Sequence, residues 1–389
     1  MRTATPSTAR AINDRLVLDL LLDRGPLTAP QVRELTGLSR PTVSDLIERL
    51  QAGDLIQVTG EAGGDRRGPN ARLYGIVAGR AHVAGVDVRR SVVNVTVADI
   101  TGRIAGSAVR ELDGDLDVII ADALAEAAGP LALHAVVVGA PGLVDPRTGD
   151  LSPANDVPGW VDPRTRDLSP ANDAPGRRPG LMEAMRARIA APVLLENEVN
   201  LAAIAEHHAG AAAGRDDFAL LWLDDGVGAA VVLGGRLRRG FSGGAGEIGF
   251  LDTRGGLLCD LLAGDVVDGL RTGEPETGRP KTDRPQTGGP ETGRPQAAGP
   301  VMGELAERVA AAAFPMVAVV DPGLVILAGR TGRAGGEELA RQVADRLAAL
   351  APVLTEVRVT TVVGNPVLMG AVDTALSMAR DDIFGTPSG

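Results

Sequence analysis

The sequence predicts an α/β protein in which a small winged helix-turn-helix precedes a larger body of strands and helices. Three observations carry this expectation. Residues 28–50 hold two short amphipathic helical patterns joined by a glycine-containing turn. Residues 55–76 hold two β-rich runs around a tip rich in glycine and arginine. From Val83 onward the apolar period changes from helical to alternating, and then strands alternate with helices.

The head is expected over residues 10–78. Residues 1–9 read as an unstructured start. Leu16, Leu18, Leu20, Leu21 and Leu22 form an apolar first helix that should pack beneath the next two. Thr28-Ala29-Pro30-Gln31 is a capping box, with the Gln31 side chain placed to reach back to the Thr28 amide. Val32 and Leu35 give that helix an apolar side, and Thr36-Gly37-Leu38 supplies the turn. In the second helix Val43, Leu46, Ile47 and Leu50 fall at i, i+3, i+4 and i+7, which is one buried stripe. Ser39 can cap its start, and Pro41 is tolerated because first-turn amides have no partner inside the helix. Ser39, Arg40, Thr42 and Ser44 are then left at the exposed N-terminal end, where they can donate to phosphates or base edges. Two helices joined this way place the second in a DNA major groove. Leu55 to Thr59 and Arg72 to Ile76 read as the strands of a wing whose tip carries Arg66 and Arg67. An ordinary helical hairpin is the plain alternative. Capping box, turn, second helix and arginine-tipped hairpin in that order favour the winged helix-turn-helix.

Composition narrows the class. At 389 residues the chain accommodates two or three domains. Aromatics make up 2% of it, so the core must be built from Ala, Val and Leu. No signal peptide and no apolar run of membrane-spanning length is evident, and a cytoplasmic protein is expected. The single cysteine, Cys259, excludes an intramolecular disulfide and a Cys-rich zinc site. A net charge of −11 argues against a generally basic nucleic-acid coat. Residues 1–80 nevertheless hold 11 Arg against nine Asp and Glu, so a small DNA-binding head on an acidic body fits. Binding would depend on the placement of Arg40, Arg66 and Arg67, not on bulk charge.

The body begins with β-rich runs at Val83–Val88, Val92–Asp99 and Ile104–Val109, an antiparallel meander. A helix over Leu116–Ala128 and a buried strand over Ala135–Val138 lead into Gly139-Ala140-Pro141-Gly142-Leu143-Val144-Asp145. Further strands are expected at Val193–Leu195, Phe218–Leu223, Ala229–Leu233, Val325–Leu327 and Val357–Val362. Helices are expected from Leu181 and at Val199–His208, Val309–Val320, Glu337–Leu350 and Val367–Met378. Two stretches interrupt this order. Val144–Trp160 is repeated at once as Val161–Arg177 with three differences, which reads as a recent duplication with one copy looped out. Residues 272–300 form a Thr-Gly-x-Pro run without apolar residues until its end, expected to be a disordered insert.

With these pieces in hand, the chain resembles the ROK family of repressors and sugar kinases, specifically its repressor branch. The winged helix-turn-helix, GAPGLVD, LLENEVN and GVGAAVVLGGRLRRGFSGGAGEIGF carry the resemblance. It implies a two-lobed, actin-like ATPase (sugar-kinase-like) body that binds a sugar between its lobes. The first lobe is expected over residues 82–195, including the 144–177 repeat and completed by a C-terminal helix at 366–384. The second is expected over 196–365. The resemblance assigns sugar contacts to Asn155 and Asp156 before Pro158-Gly159-Trp160, to Asn197 and Glu198, and to Glu247. Asn172-Asp173 in the second repeat copy remains an alternative to the first copy. For Asn197 and Glu198 the plain alternative is a strand-end polar pair capping the next helix; for Glu247 it is a surface carboxylate in a glycine-rich turn.

The same resemblance raises the question of sugar phosphorylation, and this sequence departs from the kinases. Asp87 is followed by Val88-Arg89-Arg90-Ser91 in place of the glycines of the first phosphate loop. Asp224-Asp225-Gly226 stands where the second loop has Gly-Thr-Gly, and the catalytic Asp position holds Glu198. Phe250 replaces the zinc-binding His after Glu247-Ile248-Gly249, and Cys259 stands alone, so no zinc site is expected. The expectation is therefore a non-catalytic transcriptional regulator without a cofactor. It would be a homodimer or homotetramer on a roughly palindromic operator, responding to a sugar effector. The alternatives are an ATP-dependent sugar kinase with an added DNA-binding head, or a regulator whose body no longer senses sugar.

Overall fold

Two caps and one glycine set the geometry of the N-terminal head in the computed structural model. It describes residues 6–62, 71–152, 180–224, 226–253, 255–262, 298–350 and 353–385. The head comprises α1 (Pro6–Arg24), β1 (Leu27–Thr28), α2 (Ala29–Thr36), α3 (Arg40–Ala52), β2 (Ile56–Ala62) and β3 (Ala71–Ile76). At α2 the capping box is complete: Thr28 N–H donates to Gln31 Oε1 at 2.8 Å, and Gln31 N–H donates to Thr28 Oγ1 at 3.4 Å. Gly37 ends α2 in the left-handed region at φ 70°, its amide donating to the Arg33 carbonyl, and so turns the chain into α3. Val43, Leu46, Ile47 and Leu50 are buried as the spacing predicts, together with Val17, Leu18 and Leu21 of α1 and Val32 of α2. Leu16 is on the other side of α1 and 42% exposed.

Two expectations for the head change. The first helix starts at Pro6, so residues 6–9 are helical. The wing strand β2 continues through Gly60 to Ala62, because a register shift between Val58 and Gly60 absorbs the glycine as an irregularity of the ladder. The tip, with Arg66 and Arg67, lies outside the described residues.

The described residues form two compact units. The first holds the head and a five-stranded sheet in the order β10-β7-β4-β5-β6. Here β4 (His82–Val88), β5 (Val92–Asp99) and β6 (Ile104–Glu111) are the antiparallel meander, and β7 (Leu133–Ala140) pairs parallel to β4. The helix α4 (Leu116–Ala128) joins β6 to β7. Val83, Val86, Val95, Val97, Val136 and Val138 are fully buried, which is how a chain poor in aromatics fills this sheet's faces. The hairpin β8 (Leu143–Val144) and β9 (Leu151–Ser152) follows β7, and residues 153–179, which include the rest of the repeat, lie outside the described residues. The helix α5 (Leu181–Arg188) leads to β10 (Val193–Asn197), which runs two residues beyond the expected Leu195.

The second unit holds residues 141–152 and Glu196 to Gly370 among those described. After α6 (Glu198–Ala209) come β11 (Phe218–Leu223), β12 (Val227–Leu233), β13 (Arg236–Leu237), β14 (Asp252–Thr253), β15 (Gly256–Leu257) and α7 (Leu258–Leu262). Then come α8 (Ala298–Val320), β16 (Leu324–Ala328), α9 (Gly329–Leu350) and β17 (Glu356–Val359). The sheet order is β13-β12-β11-β16-β17, with β11, β16 and β17 parallel. Its core is built from Leu221, Leu223, Val309, Ala313, Leu327, Leu339 and Val343. Helix α8 begins at Ala298, so the last three residues of the expected 272–300 insert are helical, and residues 272–297 lie outside the described ones. Helix α9 begins eight residues before the expected Glu337 and is broken at Gly336 by a φ of 58°. The last strand ends at Val359 instead of Val362. The final helix, α10 (Pro366–Phe384), has its first turn in the second unit and continues from Ala371 in the first. Among the described residues no helix is long and apolar enough to cross a membrane.

Candidate functional site

The first candidate surface is the start of α3. Ser39 accepts the Thr42 amide at 3.4 Å and shares a 2.8 Å hydroxyl–hydroxyl bond with Thr42 Oγ1. Capping therefore ties these two side chains together while both stay exposed, next to exposed Arg40 and Ser44. The helix is anchored from behind. Arg49 donates to both carboxylate oxygens of Asp14 on α1, at 2.5 and 3.0 Å, and to Asp45 at 2.7 Å. Those bonds hold the Arg49 guanidinium above its already high pKa, led by the Asp14 bond. Asp45 is thereby partly neutralised on the face that would meet phosphates. Arg72, exposed on β3 opposite Glu61, adds a cation to the wing that strand patterning alone does not single out.

The second cluster lies in the body, where β10 passes into α6. Asn197 Oδ1 accepts the Val199 and Asn200 amides at 2.8 and 3.2 Å, and Asn197 Nδ2 donates to the Gly142 carbonyl at 3.0 Å. Its carbonyl oxygen is thus a helix cap, as the plain alternative anticipates, and its amide is tethered to the GAPGLVD loop. One Nδ2 hydrogen remains for any further role. Glu198 occupies the first turn of α6, where free amides favour a carboxylate. Glu196, which the motif reading passes over, is the network's buried member. Its side chain is 3% exposed, pairs with Arg239 at 2.6 Å, and accepts from Asn197 N–H at 3.0 Å and Asn200 Nδ2 at 2.8 Å. No local sequence signal links Glu196 to an arginine 43 residues on.

Glycines account for the approach of GGAGEIG to this cluster. Gly243 (φ 84°) and Gly246 (φ 94°) both take backbone conformations that side chains avoid. A Cβ at Gly243 would collide with the Val144 carbonyl at the end of GAPGLVD, and one at Gly246 with the Ala229 carbonyl of β12. The two glycine-rich motifs therefore meet backbone to backbone. Glu247 follows directly, and burial holds its carboxyl above the ordinary carboxylate range. Asn155 and Asp156 lie outside the described residues, as do Asn172 and Asp173.

At the positions that resemble the phosphate loops of sugar kinases, carboxylates are paired with arginines. The Asp87 side chain is fully buried, and Arg89 folds back onto it with a 2.7 Å ion pair. The Arg89 amide donates to the Val92 carbonyl at 2.8 Å, closing the turn tightly around that pair. In the second unit Arg330, the second residue of α9, lies 3.5 Å from Asp224. Internal guanidinium groups thus stand beside the carboxylates at loops that would have to receive phosphates. Among the described residues no group of three His, Cys, Asp or Glu side chains could hold a metal ion, and Cys259 donates its thiol toward Asp260 at 3.8 Å in α7.

These features define a DNA-binding head on a sugar-kinase-like body, and comparison with known proteins agrees. Residues 12–68 match the MarR family and residues 83–260 match the ROK family. The chain thus carries a ROK family domain behind a MarR-type winged helix-turn-helix. It is 26% identical over 262 residues to the xylose repressor of Bacillus subtilis (strain 168), covering 64% of this chain and 63% of that protein. The match thus spans less than two thirds of that relative's length. A crystal structure of a ROK family transcriptional regulator, a homolog of the E. coli MLC protein, superposes with a TM-score of 0.66. That likeness, at 17% identity over 97% of this chain and 98% of the other, is one of fold. The ROK hexokinase from Thermus thermophilus superposes with a TM-score of 0.55 at 25% identity, covering 77% of this chain and 99% of the enzyme.

Proposed function

We propose that this protein is a sugar-responsive, DNA-binding transcriptional repressor whose kinase-like body acts as a sensor and not as an enzyme. The observation that carries the reading is the capped α3, with Ser39, Arg40, Thr42 and Ser44 exposed, joined in one chain to a ROK body in which Asp87 and Asp224, at the phosphate-loop positions, are paired with arginines. Two protomers would set their α3 helices in successive major grooves of a roughly palindromic operator. Phosphate contacts from the wing, including Arg66, Arg67 and Arg72, would fix the register.

The sensing cluster in this reading is Asn197, Glu198 and Glu247, with Asn155 and Asp156 from the repeat. Carboxylates accept from sugar hydroxyls, and the free Asn197 Nδ2 hydrogen donates to one. A bound sugar changes operator affinity only if it prefers one of two arrangements of the protein. Kinase activity is the reading disfavoured by Val88-Arg89-Arg90-Ser91 in place of the first loop's glycines and by Glu198 at the catalytic Asp position.

The test is a fluorescence-anisotropy titration of the full chain on a duplex from its own upstream region, repeated with a panel of pentoses and hexoses beginning with D-xylose. The reading expects one sugar to shift the midpoint at constant salt. Binding that no sugar alters would leave a DNA-binding protein with a silent body and overturn the sensor assignment.

A further inference from the structure

Helix α10 makes close contacts at both of its ends. Its start is capped by Asn365, whose Oδ1 accepts the Leu368 amide at 3.0 Å and whose carbonyl accepts the Met369 amide at 3.0 Å. One turn on, Gly370 sits so close to α6 that a Cβ there would collide with the Leu201 carbonyl. Leu201 belongs to the opening turns of α6, the same segment that Asn197 caps and that begins with Glu198. Val367, Ala371, Ala375 and Ala379 are fully buried at every fourth position, so small side chains let one face of α10 pack closely along its length.

The other end of α10 is built into the head. Phe384 is buried in the winged-helix core with Val17, Leu18, Leu46 and Ile100, and Ile383 packs against that core. Arg380 donates twice to the Ile100 carbonyl, at 3.0 and 2.9 Å. Arg15 of α1 donates to Asp381 at 2.9 Å and to the Gly385 carbonyl at 2.6 Å. The last turn of α10 therefore contributes to the core of the head.

We propose that α10 is a coupling element: displacement at the start of α6 is carried along this continuous helix to the winged helix. Gly370 is its input contact, and Phe384 with the Arg15–Asp381 pair is its output contact. Its part in the sugar response rests on the assignment of Asn197 and Glu198 made above, but the link itself does not.

The test is a mutant cycle on the full-length protein, read by amide hydrogen exchange in α1 and α3. Gly370→Ala forces α10 off α6. It should speed exchange in the head by about threefold or more while the sheet of the second unit keeps its protection. In a background of Asp381→Asn with Phe384→Ala, adding Gly370→Ala should change head exchange by less than about 1.5-fold, because coupled residues are non-additive. Should Gly370→Ala fail to fold, Asn365→Ala loosens the same first turn and enters the same cycle. Additive effects, or a head indifferent to the first turn of α10, would overturn the proposal. A D-xylose arm on the same samples separates the two readings: no sugar effect on the parent protein counts against the sensor, while the cycle still decides the coupling.

Discussion

Asn197 offers a substitution whose two consequences can be separated. Alanine there removes the cap accepted from Val199 and Asn200 and the tether donated to the Gly142 carbonyl. Loss of the cap costs about 1 kcal/mol, and loss of the tether about 1 kcal/mol more. The sum, about 2 kcal/mol, corresponds to roughly 30-fold faster exchange of the first α6 amides if they open locally. Asn197→Asp keeps an oxygen for the cap and lacks the donor, so a carboxylate then faces a carbonyl oxygen. The aspartate variant should therefore protect the α6 amides better than alanine while loosening Gly142. Hydrogen exchange followed by mass spectrometry on peptides from 140–150 and 196–205 reads both effects. If alanine leaves the α6 amides within about threefold of the parent protein, the cap does not hold this helix and the reasoning fails.

The remaining predictions concern the head and the buried acid. Arg40→Ala should weaken binding to the upstream duplex and reduce the slope of log Kobs against log salt by about one, as expected for one lost phosphate contact. An unchanged slope would remove Arg40 from the interface. Leu46 is fully buried in the head, so Leu46→Ala should cost about 2–5 kcal/mol, read as a lower denaturant midpoint for the head's unfolding. A near-neutral outcome would mean that the stripe is not core. For Glu247, burial raises the folded-state pKa, so the folded protein holds this proton more tightly than the unfolded chain. Its stabilising contribution is full below the ordinary carboxyl pKa of about 4.3 and is lost as pH rises through the folded value. Glu247→Gln cannot ionise, so the stability advantage of Glu over Gln should fall as pH increases across that window. A pH-independent difference would contradict the burial argument.

Legibility in the sequence followed the range of the forces involved. The α3 stripe, the Thr28–Gln31 box and the Gly37 turn are local, so their residues announced them. The meander and the edges of β11 were equally plain, since alternating or continuous apolar runs carry strand signals of their own. Glycine misled the reading where strand pairing or close packing overrode propensity. Gly60 lies inside β2, and Gly329 and Gly332 lie at the start of α9 with β11 and β16 packed closely against them. The candidate site divides the same way. Asn197 and Glu247 stood out through their motifs, whereas Glu196–Arg239 and Arg330–Asp224 join residues far apart in sequence that only the fold brings together. The role of α10 in the head was hidden for the same reason, since Arg15 and Asp381 sit 366 residues apart.

Selectivity for DNA sequence is the most direct test of the account. The full-length protein would be titrated onto its own upstream duplex and onto a scrambled duplex of equal composition, each at two salt concentrations. The account predicts tighter binding to the upstream duplex, weakening with salt on both while the preference persists, since nonspecific phosphate contacts lose affinity without discriminating. Equal, weak binding to the two duplexes at both salts would contradict it.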